Sequence, residues 1–208
     1  MRLLQHLILK NLIKTKSIIR FKSGSDIIYN KLIEHNVKDV FIYSGGSIMP
    51  LIDKLYNSSI NYYVNTNELN TGLSAVGYSK SSNRTGVCMV TSGPGLTNII
   101  TPILAANNDS TPLIVLSGQV GLKAIGTNAF QEAPSVDITK NITKWSYCVQ
   151  SVNELPSVLD YAFYIANYKK KGAVHIDLPK CVLNDIFMKN KKIDLPFLDT
   201  SNIICEKK

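Results

Sequence analysis

The chain has 208 residues, of which 45% are hydrophobic and 18% are charged, and its formal net charge is +8. Residues 1–22 hold six cations and no acid, whereas the rest of the chain holds 17 cations against 15 acids. This apolar content is enough for the core of one globular domain. The near-neutral charge of the chain after residue 22 argues against a nucleic-acid-binding surface. No apolar run approaches the roughly 20 residues of a membrane-spanning helix.

The first 22 residues have the pattern of a basic amphipathic helix. Five apolar residues recur there at helical spacing: Leu3, Leu4, Leu7, Ile8 and Leu12. An acid-free segment of this kind is typical of a mitochondrial presequence. It predicts a protein of the mitochondrial matrix. The alternative is a basic N-terminal extension of a cytoplasmic protein.

From Ser23 onward, helix-like and strand-like segments alternate. The periodicity of apolar residues predicts helices over 25–35, 47–56, 68–80, 96–106 and 153–167. Strands are predicted at 40–43, 61–64, 86–90, 112–116, 147–149 and 173–177, with a long loop over 118–134. Apolar strands that are separated by helices imply a parallel sheet covered on both faces.

The predicted fold class is therefore α/β, a single three-layer domain with a mostly parallel sheet and helices on both faces. We expect this domain to span residues 23–188. The tail at 189–208 contains Lys191, Lys192 and Pro196, and it resembles a linker. In such folds ligands bind beyond the carboxyl ends of the strands.

The cysteines show no spacing typical of a metal or redox site. There are four of them: Cys88, Cys148, Cys181 and Cys205. Two lie within apolar strand-like runs, so the sequence predicts reduced structural thiols.

Three segments at predicted strand ends are rich in small residues: 43–46 (Tyr-Ser-Gly-Gly), 91–95 (Thr-Ser-Gly-Pro-Gly) and 117–119 (Ser-Gly-Gln). Where side chains are absent, a ligand ring can approach the backbone closely. The alternative is that these glycines only serve strand-to-helix turns. No dinucleotide fingerprint and no Gly-Lys-Ser/Thr loop is present in the sequence, which argues against nicotinamide and nucleoside triphosphate cofactors.

Glu68 follows the second predicted strand, at the start of a helix. A glutamate in this position commonly complements the helix dipole as a cap. A carboxylic acid in a dry pocket can instead exchange a proton with a ligand. Position alone leaves both roles open.

The order of these segments resembles the N-terminal domain of acetolactate synthase catalytic subunits, over about residues 24–179. The segments that carry the resemblance are 40–46, Glu68 with Gly77 and Tyr78, 91–98, 109–112, 118–120, 125–132 and 142–144. The glycine loops occur widely among thiamine-diphosphate decarboxylases and carboligases. The Phe130-Gln131-Glu132 segment indicates acetolactate synthase in particular.

The resemblance implies a thiamine-diphosphate-binding fold and a role for each site residue. The family's glutamate, matched by Glu68, hydrogen-bonds the pyrimidine ring and promotes the tautomer that deprotonates the thiazolium C2. The cofactor-binding residues would be Gly45, Gly46, Glu68, Thr91, Pro94 and Asn98. The substrate pocket would include Phe130 and Gln131, with Lys144 near its entrance. The alternative for Phe130 is plain core packing.

The resemblance also implies which cofactors and partners this chain needs. It would bind the pyrimidine half of thiamine diphosphate, while magnesium and FAD would be held by further domains. We expect no metal site here, because the family's Gly-Asp-Gly and Asn-Asn pair is absent from the sequence. The expected partners are a chain carrying the diphosphate-binding domain, or other copies in a homo-oligomer, and small 2-keto acids such as pyruvate.

The function expected from the resemblance is a carboligase reaction in branched-chain amino-acid biosynthesis. The isolated chain is expected to be inactive. The alternatives are another thiamine-diphosphate decarboxylase or carboligase, and a non-catalytic domain that regulates full-length subunits.

Overall fold

The computed structural model describes residues 22–187. Its helices are α1 (Gly24–Glu34), α2 (Met49–Ile52), α3 (Glu68–Ser82), α4 (Pro94–Asn98), α5 (Ile100–Asn108), α6 (Ser135–Thr139), α7 (Leu155–Asn167) and α8 (Lys180–Asn184). Its strands are β1 (Asp39–Ile42), β2 (Asn61–Val64), β3 (Gly86–Val90), β4 (Leu113–Gln119), β5 (Trp145–Cys148) and β6 (Ala173–Pro179). Short 3-10 turns lie at Asp53–Leu55, Leu122–Ala124 and Val152–Glu154.

The strands form one six-stranded sheet in the order β2-β1-β3-β4-β6-β5, and all neighbouring strands are parallel. In the centre of the sheet, Ser117 of β4 is in register with Val90 of β3 and with Asp177 of β6. All six strands therefore end at the same edge. This arrangement confirms the predicted α/β fold class with a parallel sheet.

Side chains of the central strands alternate between two apolar clusters, one on each face of the sheet. On β4, Ile114 and Leu116 pack into the cluster that includes α1, α7 and α8. Leu113 and Val115 pack into the opposite cluster, with α3, α4 and α5. Helices thus cover both faces, as a three-layer domain requires.

The edge strand β2 is less covered than the sequence predicts. All four of its residues are exposed, although Phe41 of β1 stacks on the Tyr63 ring with centroids 5.3 Å apart. This exposure is limited to the edge of the sheet, while helices cover both faces of the central strands as predicted. Apolar composition alone does not distinguish an edge strand from a central one.

Several helices differ from the predicted ranges. The helix predicted over 47–56 is only the short α2 followed by a 3-10 turn. The helix predicted over 96–106 begins two residues earlier, and Ile99, with φ −96° and ψ 3°, divides it into α4 and α5. The helices α6 and α8 have five residues each, which is too short to show a helical period.

The N-terminal extension up to residue 21 and the linker-like tail lie outside the described residues, as does Cys205. Cys88, Cys148 and Cys181 are free thiols, as predicted. Within residues 22–187 no helix is long and apolar enough to cross a membrane. The same residues contain no group of three or more His, Cys, Asp or Glu side chains suited to a metal ion.

Candidate functional site

The three glycine-containing loops meet at the carboxyl edge of the sheet, and Ser47 connects them. Its hydroxyl lies 2.9 Å from Thr91 Oγ1 and accepts a hydrogen bond from the Ser92 N–H at 3.0 Å. A Cβ added to Gly118 would lie 2.2 Å from the same oxygen. Sequence reasoning did not single out Ser47, although its place directly after two glycines at a strand end was a usable signal.

Gly45 and Gly46 have different surroundings. A Cβ added to Gly45 would lie 2.3 Å from Thr91 Cβ, so only glycine fits between β1 and the Thr91 loop. A Cβ added to Gly46 would have no atom within 4 Å. The first glycine therefore brings two loops together, and the second leaves open space at the expected ligand position.

Glu68 begins α3, where Asn67 is the N-cap and accepts a hydrogen bond from the Asn70 N–H at 2.8 Å. The side chain of Glu68 is not displayed on the surface, since the residue is only 6% exposed. Asn98, at the end of α4, donates its Nδ2–H to Glu68 Oε2 at 3.1 Å. The carboxylate is thus fixed by a residue 30 positions along the chain.

The second oxygen of Glu68 remains available. Oε1 accepts no hydrogen bond from residues 22–187, and no fully buried side-chain oxygen among them lacks a partner. Oε1 therefore keeps contact with solvent. A Cβ added to Gly95 would lie 3.6 Å from it, so the wall beside this oxygen is bare backbone. An oxygen in this position can accept a hydrogen bond from a ligand that lies against this wall.

Other predicted cofactor residues line the same region. Thr91 is buried between the Gly45 loop and Gly95, whose added Cβ would lie 2.8 Å from Thr91 Cγ2. Pro94 is exposed at the first position of α4. The structure thus brings together Gly45, Thr91, Glu68 and Asn98.

The loop with Phe130 and Gln131 lies against the Ser-Gly-Pro-Gly loop. Gly93 has φ +58°, and a Cβ there would lie 2.7 Å from the Gln131 carbonyl oxygen. Only glycine satisfies both the backbone angle and this contact. Phe130 is 88% exposed, so the alternative that it packs in the core of this chain is wrong.

Glu132 organises this loop from within. Its carboxylate accepts hydrogen bonds from the Gly126 N–H and, at 3.0 Å, from the Ala129 N–H. The Gly126 hydrogen bond holds the pKa of Glu132 below its ordinary value. Gln131 and Asn128 both have φ 59°, in the left-handed region that side chains rarely adopt.

Lys144 lies at the other edge of the sheet, which corrects its expected place near the pocket entrance. It precedes β5, and its backbone N–H donates to the Ala173 carbonyl at the start of β6. Its Nζ donates to the carbonyls of Ile165 and, at 2.6 Å, Tyr168, at the end of α7. Burial lowers the pKa of Lys144. It caps a helix at the amino ends of the strands.

A buried polar cluster on β4 and β6 was not predicted. Ser117 donates to Asp177 Oδ1 at 2.6 Å, and its oxygen lies 2.7 Å from His175 Nε2. Burial raises the pKa of Asp177 to about 6, although hydrogen bonds from Ser117, Gln119 and Ser135 act to lower it. Burial lowers the pKa of His175 to about 3. Polar residues at alternate positions of an otherwise apolar strand were the available signal.

Glu68 lines none of three cavities, of about 630, 610 and 100 Å³, in the described part of the chain. The first lies beside α1, between residues such as Asp26 and Ser58. The second reaches Gly46 from the side of α2 and α8.

Comparisons with known proteins agree with this geometry. The model of the family described as thiamine pyrophosphate enzyme, N-terminal TPP binding domain, matches residues 22–140. The mitochondrial acetolactate synthase of Schizosaccharomyces pombe is 46% identical over 171 residues, 82% of this chain and 26% of that protein.

Two further relatives come from a yeast and a bacterium. The mitochondrial acetolactate synthase catalytic subunit of Saccharomyces cerevisiae is 44% identical over 161 residues, 77% of this chain and 23% of that protein. The acetolactate synthase large subunit of Corynebacterium glutamicum is 41% identical over 177 residues, 84% of this chain and 28% of that protein. The chain thus spans about a quarter of the length of these curated relatives.

Proposed function

The chain belongs to the thiamine pyrophosphate enzymes, of which it carries the N-terminal cofactor-binding domain, and on this premise we propose a function of the acetolactate synthase type. It would be the cofactor-activating domain of a carboligase that condenses two 2-keto acids, such as pyruvate, in branched-chain amino-acid biosynthesis. The names of the relatives and the geometry at Glu68 both support this function.

The arrangement of Glu68 is the observation that carries the proposal. One carboxylate oxygen is held by Asn98, while the other lies beside Gly95 and accepts no hydrogen bond from residues 22–187. A helix cap needs no such arrangement, because its oxygens bond to backbone N–H groups of its own first turn. A buried acid with one fixed and one free oxygen is suited to binding a ring nitrogen.

Thiamine diphosphate supplies a nucleophilic thiazolium carbon that adds to the keto group of the substrate. Glu68 would bind a pyrimidine nitrogen through Oε1 and transfer a proton to or from it. Asn98 would keep the carboxylate from rotating, so that little reorganisation is needed when the proton moves. Gly46 would leave space for the ring, and Gly45 would keep Thr91 in place beneath it.

A second protein surface is part of the proposal. Val64 and Leu73, close in sequence to Glu68, are 66% and 45% exposed, and such apolar surface is typical of an interface. The partner would be a chain carrying the diphosphate-binding domain, or another copy within a homo-oligomer. Magnesium and FAD would be held by those other domains. Phe130, which is 88% exposed, would then border the 2-keto acid together with Gln131.

We place the protein in the mitochondrial matrix. The support is the basic amphipathic pattern of residues 1–22 and the mitochondrial names of the fungal relatives. Fractionation of cells that express the chain with a C-terminal tag would test this. Recovery in the cytosol alone would contradict it.

The test of function is reconstitution with the missing domains. The chain would be mixed with a fragment of the Saccharomyces cerevisiae catalytic subunit that lacks its own N-terminal domain, in the presence of thiamine diphosphate, magnesium and FAD. We expect acetolactate to form from pyruvate. Glu68→Gln should lower the rate by about 10²- to 10⁴-fold, as expected for loss of a proton-transferring group.

Glu154→Gln is the matched control. Glu154 is as buried as Glu68, at 5% exposure, but it bonds to Ser151 and Tyr147 away from the site. It should lose stability and retain the rate. Equal rates for wild type and Glu68→Gln would refute the role of Glu68.

The same complex separates the alternatives. Turnover of glyoxylate or an oxalyl thioester in preference to pyruvate would indicate another carboligase of this class. Tight binding to the fragment without turnover of any keto acid would indicate a non-catalytic, regulatory domain.

A further inference from the structure

Asp177 is a buried carboxylate that has no part in the cofactor site described above. It lies near the end of β6 and is 1% exposed. Its Oδ1 accepts from Ser117 at 2.6 Å, and its Oδ2 accepts from Gln119 Nε2 at 2.8 Å. None of the ion pairs among residues 22–187 includes it. Burying a charge in this way is costly, and such groups commonly have a specific task.

Gln119 connects Asp177 to the loop that carries Phe130. Its Nε2 also lies 3.0 Å from the Ala133 carbonyl oxygen and 3.0 Å from Ser135 Oγ, just beyond that loop. Its Oε1 accepts from the Val120 N–H at 2.9 Å, which fixes the orientation of the amide. Asp177 therefore holds a side chain that contacts both ends of the segment 120–133.

The loop itself needs such support. Asn128 and Gln131 hold left-handed backbone angles, and conformations of this kind persist only where the surroundings determine them. Glu132 accepts a hydrogen bond from the Ala129 N–H within the loop, and the backbone of Gly93 packs against the Gln131 carbonyl. Gln119 attaches the segment through Ala133, at the point where it returns to the domain.

We infer that Asp177 is a positioning residue that, through Gln119, sets the conformation of the loop carrying Phe130 and Gln131 and thereby the fit of the 2-keto acid. The part that concerns the keto acid rests on the proposed function. The part that concerns the loop rests on the contacts of this chain alone.

The groups around Asp177 are consistent with an orienting role. His175 precedes it on the same face of β6 and contacts Ser117. The thiol of Cys148 on β5 is near enough for Asp177 to raise its pKa, after the larger effect of burial. Neither neighbour supplies a positive charge, since burial keeps His175 neutral near pH 7. Asp177 thus acts through directed hydrogen bonds from neutral donors.

Hydrogen exchange of the full chain tests the loop. Asp177→Asn places an amide where two donors now point, and Gln119→Met removes the donor at similar length. In either variant, amides of residues 126–132 should exchange about tenfold faster, as expected when one or two hydrogen bonds of about 1 kcal/mol each are lost. If Asp177→Asn does not fold, Gln119→Met alone decides.

Glu154→Gln again serves as control, because it removes a buried carboxylate that caps the 3-10 turn Val152–Glu154 before α7 and makes no hydrogen bond to the loop. It should leave exchange at 126–132 within about twofold of wild type, even where overall stability falls. Equal acceleration in this control would overturn the inference, and so would unchanged exchange in Gln119→Met.

The reconstituted complex adds a second readout. Asp177→Asn and Gln119→Met should raise KM for pyruvate about tenfold or more while kcat changes less, because the loop would be displaced and Glu68 would not. A loss in kcat alone would overturn the link to the keto acid. If the wild-type complex is inactive, the proposed function fails, whereas hydrogen exchange still decides the role of Asp177 in the loop.

Discussion

Gly45 and Gly46 are neighbours, yet the structure predicts opposite effects of adding one methyl group to each. At Gly45 the new Cβ would lie 2.3 Å from Thr91 Cβ and 2.5 Å from its Oγ1. Carbon atoms normally stay about 3.5–4.0 Å apart. The backbone would have to move by more than an ångström, because both contacts lie close to the main chain.

We expect Gly45→Ala to destabilise the chain by about 2–3 kcal/mol, in the upper part of the range for overpacked cores. For a domain of this size that lowers Tm by roughly 4–12 °C. Gly46→Ala should change stability by less than about 0.5 kcal/mol, because its Cβ would meet nothing within 4 Å. Neither glycine has a positive φ, so backbone strain does not complicate the comparison.

Urea unfolding of both variants, followed by circular dichroism, measures the difference. Thr91→Gly removes the three atoms nearest to the new methyl group, so in the double variant the cost of Gly45→Ala should largely disappear. The order should reverse in cofactor binding: Gly46→Ala should weaken thiamine diphosphate in the reconstituted complex, since it fills the space left for the ring. Equal stability of the two single variants would refute the packing argument.

Three further predictions concern groups that the fold places in unusual surroundings. Burial lowers the pKa of folded His175 to about 3, whereas the unfolded residue is protonated below about pH 6.5. His175 therefore lowers the free energy of unfolding as the pH falls from 6.5 to 3. Asp177, with its pKa raised to about 6, has the opposite effect between pH 4 and 6. Asp177→Asn should therefore lose about 1.4 kcal/mol per pH unit more than wild type between pH 6 and 4, and parallel urea-unfolding curves would contradict this. Phe130→Ala should leave Tm unchanged within about 1 °C while it alters keto-acid selectivity in the complex, because the ring is 88% exposed; a large fall in Tm would show that it packs within this chain. Gly93→Ala should cost about 2 kcal/mol or more in urea unfolding, because a positive φ and the Gln131 carbonyl both exclude a Cβ; a neutral effect would contradict that contact.

The α/β fold was predictable because its elements have local signatures. Apolar runs such as 86–90 mark buried strands, and glycines at strand ends mark the turns into helices. The lengths of the short helices were not predictable, since five residues show no period. The exposure of β2 was not predictable either, because the place of a strand at the edge of a sheet depends on how the strands assemble.

The candidate site was predictable in its members more than in its contacts. Gly45, Thr91 and Glu68 follow strands of one parallel sheet, and such strands end together. Lys144 shows the limit of this reasoning. The resemblance of segment 142–144 predicted Lys144 near the pocket entrance. In the structure Lys144 directly precedes β5, so it lies at the amino edge of the sheet, where its Nζ caps the end of α7.

The sequence by itself determined the succession of strands and helices along the chain, the glycine loops and the place of Glu68 at a helix start. Tertiary structure decided which groups meet: Asn98 on Glu68, Gly93 under Gln131, and Asp177 on Gln119. The reason is that periodicity and turn chemistry act over a few residues, whereas these pairs are 30 to 58 residues apart. Their contacts depend on strand register and loop path, which are fixed only when the whole sheet packs.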